Sequence, residues 1–351
     1  MELQTSRKSG TCYGILHLPR PTSDLLLKRL RGRVMAAEVT APPKSPIYVD
    51  VDGVRINKRF SPDVVRDALR YKATPDDVFL ASFPKCGTHW TQQICYLIEH
   101  NGVPPPTVLH LHMHGPSLEK FGAQTVRALP KRGYIRTHLP YDLVPKHPKA
   151  RYVYVCRNPK DVCVSLFYQT KSLKEYGFAD GKFEDFFEIF LEGETDFGNY
   201  FDHVLPWYAH RDDDNVLFLN YEQMKSEPRK YILKLAEFLD RGHYRELVEN
   251  ESMLQDVLKF SSFEYMKKPF PAADGADSVS RHLTADVPEA MRVLFETPGS
   301  IRGFGDVLRA GKTGGWKEHF SPKMNERMEN KILDKFSHTD LVATWMQFGI
   351  L

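Results

Sequence analysis

A lysine, two small residues and a hydroxyl stand together where an apolar run gives way to a helical pattern, in Pro84-Lys85-Cys86-Gly87-Thr88-His89-Trp90. At a strand-to-helix turn of this kind, free backbone N–H groups and the helix dipole make an anion site. Lys85 adds a point charge and Thr88 a hydroxyl donor. The spacing is not the Walker pattern, because no glycine comes earlier and Lys85 precedes Gly87 instead of following it. Taken alone, the segment is also explained by an ordinary βα turn.

A second run, Arg151-Tyr152-Val153-Tyr154-Val155-Cys156, leads into Arg157. A P-loop NTPase would end its metal-binding strand in an aspartate that holds Mg²⁺, so an arginine here points to direct anion binding. Ser165, one helical stretch later, could offer a hydroxyl to the same phosphate. A surface arginine and a helical serine are the alternative. Two basic strand-to-helix turns in one sheet suit a ligand with two separated anionic ends. His138 lies in Thr137-His138-Leu139-Pro140, a turn after a strand. Imidazole titrates near neutral pH and suits removal of a proton, although a lone histidine is usually structural. His110, His112 and His114 alternate along Leu109 to Gly115, so on a strand they would share one face and could bind a metal.

The elements that must position these residues follow from the apolar pattern. Val78 to Phe83 reads as a strand and Thr88 to His100 as its helix; Arg151–Cys156 is a second strand, with Pro159 opening a helix that continues from Asp161 through Tyr168. Val216 to Leu219 makes a third strand, and Pro228 opens a helix through Tyr231, Leu235 and Phe238. Strands alternating with helices predict an α/β fold, a single domain with a central parallel sheet flanked by helices. Phe183 to Phe190 and Tyr200 to Tyr208 read as amphipathic helices packed on that sheet. Gly311 to Gly315 reads as a flexible loop before a last amphipathic helix from about Pro322 to Phe336.

Composition narrows the class. Among 351 residues 42% are apolar and 26% charged, which excludes disorder throughout. A net charge of +3 is too small for general nucleic-acid binding, but leaves room for local basic pockets. The five cysteines, Cys12, Cys86, Cys95, Cys156 and Cys163, form no CxxC pair, which fits a reduced compartment. No apolar run approaches the roughly 18 residues that span a bilayer, so no membrane anchor is expected and the cytoplasm is the expected location. Residues 1–44 differ in character: Arg7, Lys8, Arg20, Lys28, Arg29, Arg31 and Arg33 outnumber Glu2, Asp24 and Glu38. They read as a disordered extension ahead of a folded domain over 45–351, with a faint likeness to a mitochondrial presequence around Leu25-Leu26-Leu27. Ala41 to Pro46 reads as the linker.

Five segments, in order, resemble the cytosolic sulfotransferase family over about residues 45–345: Phe83 to Trp90, Arg136-Thr137-His138-Leu139-Pro140, Cys156-Arg157-Asn158-Pro159-Lys160-Asp161-Val162, Tyr221-Glu222-Gln223-Met224, and Arg309 through Trp316. The resemblance implies 3′-phosphoadenosine 5′-phosphosulfate (PAPS) as sulfuryl donor and a P-loop-like turn for the phosphosulfate. It implies that Lys85, Cys86, Gly87, Thr88, His89 and Trp90 hold the 5′-phosphosulfate, and that Arg157, Ser165, Arg309 and Gly311 hold the 3′-phosphate. Trp90, Tyr221, Ser261 and Phe263 would surround the adenine. His138 would be the catalytic base, Lys85 would stabilise charge on the leaving phosphate, and no metal would be needed. The acceptor would be a small molecule with a hydroxyl or amine: a phenol, an alcohol, or a catecholamine-like or steroid-like compound. Pro116-Ser117-Leu118-Glu119 resembles the segment beside the acceptor pocket, so some of His110, His112 and His114 would line it, with Phe121 and Tyr168 as candidates for its apolar wall.

Departures from the family pattern are Cys86 for serine, Arg136 for a lysine implicated in catalysis, Ser261 for threonine and Gly315 for aspartate. The family's dimer motif survives only as Lys317 and Glu326, with Ser321-Pro322 in place of its central pair, so a homodimer is only weakly implied. Two other readings compete: a nucleotide kinase or other P-loop phosphotransferase, and a nucleotide binder without turnover.

Overall fold

The chain enters its fold through a hairpin that the sequence reading did not include. Val49–Val51 (β1) pairs antiparallel with Val54–Ile56 (β2). Asp52 and Gly53 between them both have positive φ, 51° and 84°, the backbone that a tight two-residue hairpin turn requires. The computed structural model describes residues 45–129, 133–268, 287, 288, 291, 292 and 311–351. The expectations for residues 1–44 and for Arg309 lie outside these.

Pro62–Leu69 (α1) precedes Val78–Ala81 (β3), which leads into Thr88–Glu99 (α2). Val108–His114 (α3) and Leu118–Ala128 (α4) come before Ile135–Thr137 (β4). Arg151–Cys156 (β5) is followed by Pro159–Ser172 (α5), Phe183–Glu192 (α6), Tyr200–Ala209 (α7) and Val216–Asn220 (β6). Tyr221–Ser226 (α8), Pro228–Leu239 (α9), Arg241–Glu249 (α10), Glu251–Phe260 (α11) and Phe263–Met266 (α12) follow. Pro322–Phe336 (α13) and Asp340–Gln347 (α14) close the chain.

β3 to β6 form one parallel sheet in the order β4-β3-β5-β6, as the alternation of strands and helices predicted. Every residue of β3 is buried, which explains a run of apolar residues without alternation: helices cover both faces. On one face Phe79 stacks on Tyr152 at 5.3 Å and Tyr154 on Trp207 of α7 at 4.9 Å. On the other, Leu80, Val153, Val155 and Leu219 meet Ile94 and Leu97 of α2 and Ile232 and Leu235 of α9. Each such burial contributes about 1.5–3 kcal/mol. Phe186, Phe187 and Phe190 of α6 and Phe201 and Trp207 of α7 are core, as expected. Among the described residues no helix is long and apolar enough to cross a membrane.

The histidine-rich segment departs from its expected form. Thr107 Oγ1 accepts the His110 N–H and starts a helix, so α3 replaces the strand that alternation suggested. With 3.6 residues per turn, His112 points away from His110 and His114. The three have separate partners: His110 has Thr107, His112 has Arg136, and His114 has Glu99. Among the described residues no three His, Cys, Asp or Glu side chains cluster as metal ligands. The Gly311–Gly315 loop is tied down: Asp161 accepts the N–H groups of Gly314 at 2.9 Å and Trp316 at 3.1 Å.

Candidate active site

The chain runs from β3 to β4 on one side and then crosses to β5 on the other, so the sheet order reverses at β3. In open parallel sheets ligands bind outside the carboxyl ends of the strands at such a point. Ser82, His138 and Arg157 each follow directly on one of these three strands.

The loop from β3 to α2 turns sharply. Lys85 has φ +71° and Gly87 φ +106°. For lysine this left-handed backbone costs on the order of 1 kcal/mol, a strain that concentrates at functional sites. At Gly87 a Cβ would fall 2.8 Å from Cδ2 of Tyr221, so only glycine lets the loop lie against that ring. No side chain caps α2 at its N-terminus, which leaves first-turn N–H groups for an anion. Thr88 Oγ1 lies 2.6 Å from Ser82 Oγ. Cys86 is buried, and burial pushes its thiol well up, so it remains a neutral core group.

Arg157 joins this loop to a second one. Its Nη1 donates to the Lys85 carbonyl at 3.3 Å and its Nη2 to the Lys312 carbonyl at 3.0 Å. The guanidinium sits 4.6 Å above the Tyr221 ring, with Asp161 at 3.6 Å. Burial works against its charge, but Tyr221, Asp161 and Glu222 outweigh that and raise its pKa above the ordinary value. Its buried Nε has no hydrogen-bond partner among the described residues. Asn158 caps α5 and donates from Nδ2 to Asp161 and Glu222, at 2.9 and 2.7 Å. Ser165 is half-buried two turns into α5.

An aromatic cluster lies beside these groups. Trp90 meets Tyr221 edge to face at 5.3 Å and donates from Nε1 to the Ser261 carbonyl at 2.9 Å. Gly311, at φ +57°, lies so close to Phe263 that a Cβ would strike the ring, and Lys225 donates to the Gly311 carbonyl. The structure thus brings Trp90, Tyr221, Ser261, Phe263 and Gly311 to the same side as Arg157.

At the same carboxyl edge, on the β4 side of β3, is His138. A carbonyl can only accept, so the 2.7 Å contact between His138 Nδ1 and the Ser82 carbonyl places the ring proton on Nδ1. Nε2 then carries a lone pair. Glu119, fully buried, accepts from the Thr137 hydroxyl and from the His138 N–H, the latter at 2.9 Å. His203 donates from Nε2 to the His138 carbonyl at 3.0 Å, and burial holds its pKa down at about 4. Phe197 packs on the His138 ring at 5.3 Å. Burial lowers the His138 pKa, Arg136 and Lys85 add to the effect, and Glu119 and the Ser82 carbonyl oppose it. The imidazole therefore stays neutral at pH 7. Arg136 donates from Nε to the Gly115 carbonyl at 2.7 Å and from Nη2 to His112 Nδ1 at 2.8 Å; burial brings its own pKa to about 10.

Residues 75–340 match the model of the sulfotransferase domain. The chain belongs to the sulfotransferase family. Sulfotransferase 1B1 of Mus musculus is 30% identical over 282 residues, 77% of this chain and 86% of that protein. The amine sulfotransferase of Oryctolagus cuniculus is 31% identical over 280 residues, 78% and 85% of the two chains. The crystal structure of mouse sulfotransferase SULT7A1 complexed with PAP matches with a TM-score of 0.65 at 26% identity, over 86% of this chain and 98% of that one. This sulfotransferase is thereby an enzyme of sulfuryl transfer, which sets aside the kinase reading. The residue reading missed Glu119, Asn158 and Asp161 as supports, although all three lie within segments it quoted. It also missed His203 and Lys225, whose partners are far away in sequence and which carry no local signal.

Proposed function

We propose that this sulfotransferase moves the sulfuryl group of PAPS to a hydroxyl or amine of a small acceptor, with His138 as base. The carrying observation is the tautomer: Nδ1–H is committed to the Ser82 carbonyl, so Nε2 is left with its lone pair at the carboxyl edge of the sheet, one strand from the Lys85 loop. The residues fit the donor. The uncapped start of α2 suits a phosphosulfate, the unpartnered Nε of Arg157 suits a phosphate, and the Trp90–Tyr221 ring pair suits packing against a flat base. Lys85, Cys86, Gly87, Thr88, His89 and Trp90 would hold the 5′-phosphosulfate through the loop. Arg157, Ser165, Arg309 and Gly311 would hold the 3′-phosphate, and Trp90, Tyr221, Ser261 and Phe263 the adenine.

Bound PAPS supplies an activated sulfuryl group. His138 Nε2 takes the acceptor's proton as the acceptor's oxygen or nitrogen bonds to sulfur in line with the departing phosphate oxygen. Lys85 stabilises the charge that gathers on that oxygen as the S–O bond breaks. No metal is assigned a part. Purified protein mixed with labelled PAPS and a panel of phenols, alcohols and amines should yield labelled product at a rate unchanged by EDTA. Folded protein that binds nucleotide and labels nothing would support the non-catalytic binder; transfer that depends on added metal would contradict the mechanism.

A further inference from the structure

Lys160 carries its charge into the interior. It lies in the first turn of α5, beside Asp161, and its side chain is fully buried. An ammonium has three N–H donors, and three acceptors meet this one: the Asn325 amide oxygen at 2.7 Å and the Glu329 carboxylate at 2.8 Å, both on α13, and the Ile350 carbonyl. The Trp316 ring lies 4.1 Å from Nζ, within range of a cation–π attraction. Taking an ammonium out of water is costly, and an apolar side chain of similar volume often fills such a place with no loss of stability. What the charge adds is direction: its partners must stand where its N–H bonds aim.

Those partners lead to the donor end. Trp316 closes the segment 311–316, and two consecutive residues of α5 hold it. Asp161 accepts its N–H at 3.1 Å and that of Gly314 at 2.9 Å, while Lys160 stands against its ring. Four residues earlier, the Lys312 carbonyl receives Nη2 of Arg157 at 3.0 Å, and the Asp161 carboxylate lies 3.6 Å from the same nitrogen. The segment is thus set against Arg157 at one end and tied through Lys160 to α13 at the other.

We propose that Lys160 is a positioning residue for the 3′-phosphate: through the Trp316 ring it keeps residues 311–316 in register with Arg157, and so favours a nucleotide that carries that phosphate. This rests on the reading of Arg157 and Gly311 as 3′-phosphate ligands and extends it to a fully buried side chain. Loss of the ammonium frees the ring, the Lys312 carbonyl shifts with the segment, and the guanidinium loses its fixed aim. The Lys85 loop lies outside the segment, so the 5′ end of the nucleotide should be held as before.

The test compares 3′-phosphoadenosine 5′-phosphate with adenosine 5′-phosphate, which lacks only the 3′-phosphate, by calorimetry on the full-length protein. Lys160→Met and Trp316→Leu should each reduce the preference for the first nucleotide about tenfold, with the affinity for the second little changed. The double variant should lose no more than either single one, because both break the same link. Glu329→Gln keeps an accepting oxygen for the ammonium and should retain the preference. An unchanged preference in folded Lys160→Met overturns the proposal, as do equal losses for both nucleotides, which mark a merely structural lysine, or losses that add in the double variant. Should Lys160→Met not fold, Trp316→Leu carries the same test, and an unchanged preference there overturns the proposal. Wild type without any preference for the 3′-phosphate removes the donor reading, whereas a preference lost in Arg157→Ala and intact in Lys160→Met removes only the role of Lys160.

Discussion

Around Arg157 the polar groups hold one another through the main chain, whereas around His138 charge is set beside charge. Arg157 donates to the Lys85 and Lys312 carbonyls, Asp161 receives the Gly314 and Trp316 N–H groups, and Trp90 donates to the Ser261 carbonyl. Such a network has a fixed shape and suits one fixed ligand. At the His138 end Lys120, Arg136 and Lys85 surround imidazoles that burial has already made neutral. Electrostatics and burial together set the protonation of that end.

The largest effect should come from cutting the link between α4 and His138. Glu119→Ala leaves the Thr137 hydroxyl and the His138 N–H without their acceptor. It should cost about 2–4 kcal/mol of stability, since buried donors lose their partner. Urea denaturation checks this, and Glu119→Gln, which keeps an accepting oxygen, should lose less. A loss confined to nucleotide affinity, with stability unchanged, would break the division between the two ends.

Arg157→Ala should weaken binding of 3′-phosphoadenosine 5′-phosphate by roughly 2–4 kcal/mol, the scale for a charged group left without its partner. Adenosine 5′-phosphosulfate, which lacks the 3′-phosphate, should bind about as before. Titration of both nucleotides decides it: equal losses would mean that Arg157 serves the loop it holds and not the phosphate. The smallest effect belongs to the N-terminal segment. A chain beginning at Met35 should keep kcat and nucleotide affinity, because every motif lies beyond Pro46; a folded, inactive product would make that segment part of the site.

The two ends also differed in how well they could be read from residues alone. β3, β5 and the loops after them declare themselves through apolar runs and a handful of adjacent residues, so the Lys85 loop and Arg157 were both legible. The helices α6 and α7 followed from their apolar spacing. The histidines of α3 were not legible, because a period of two suits a strand and only Thr107, as helix cap, decides otherwise. Glu119 lies in the segment that resembles the one beside the acceptor pocket, but its hold on the Thr137 hydroxyl and the His138 N–H was not legible, because those contacts are made by the folded chain. Lys160 is similar: it is fully buried and donates to Asn325 at 2.7 Å and to Glu329 at 2.8 Å on α13.

The central claim is that His138 Nε2 takes the acceptor's proton, and the pH profile of kcat in wild type and His138→Ala tests it most directly. The base works only when unprotonated, and burial lowers its pKa. The wild-type rate should therefore hold as pH falls through the ordinary histidine value of about 6.5 and decline only below it. His138→Ala should lose roughly 10²-fold or more in kcat, as for a missing general base, keep its nucleotide affinity, and show no such acidic limb in the activity that remains. A variant that folds, binds nucleotide and turns over at the wild-type rate with the same acidic limb would contradict the account.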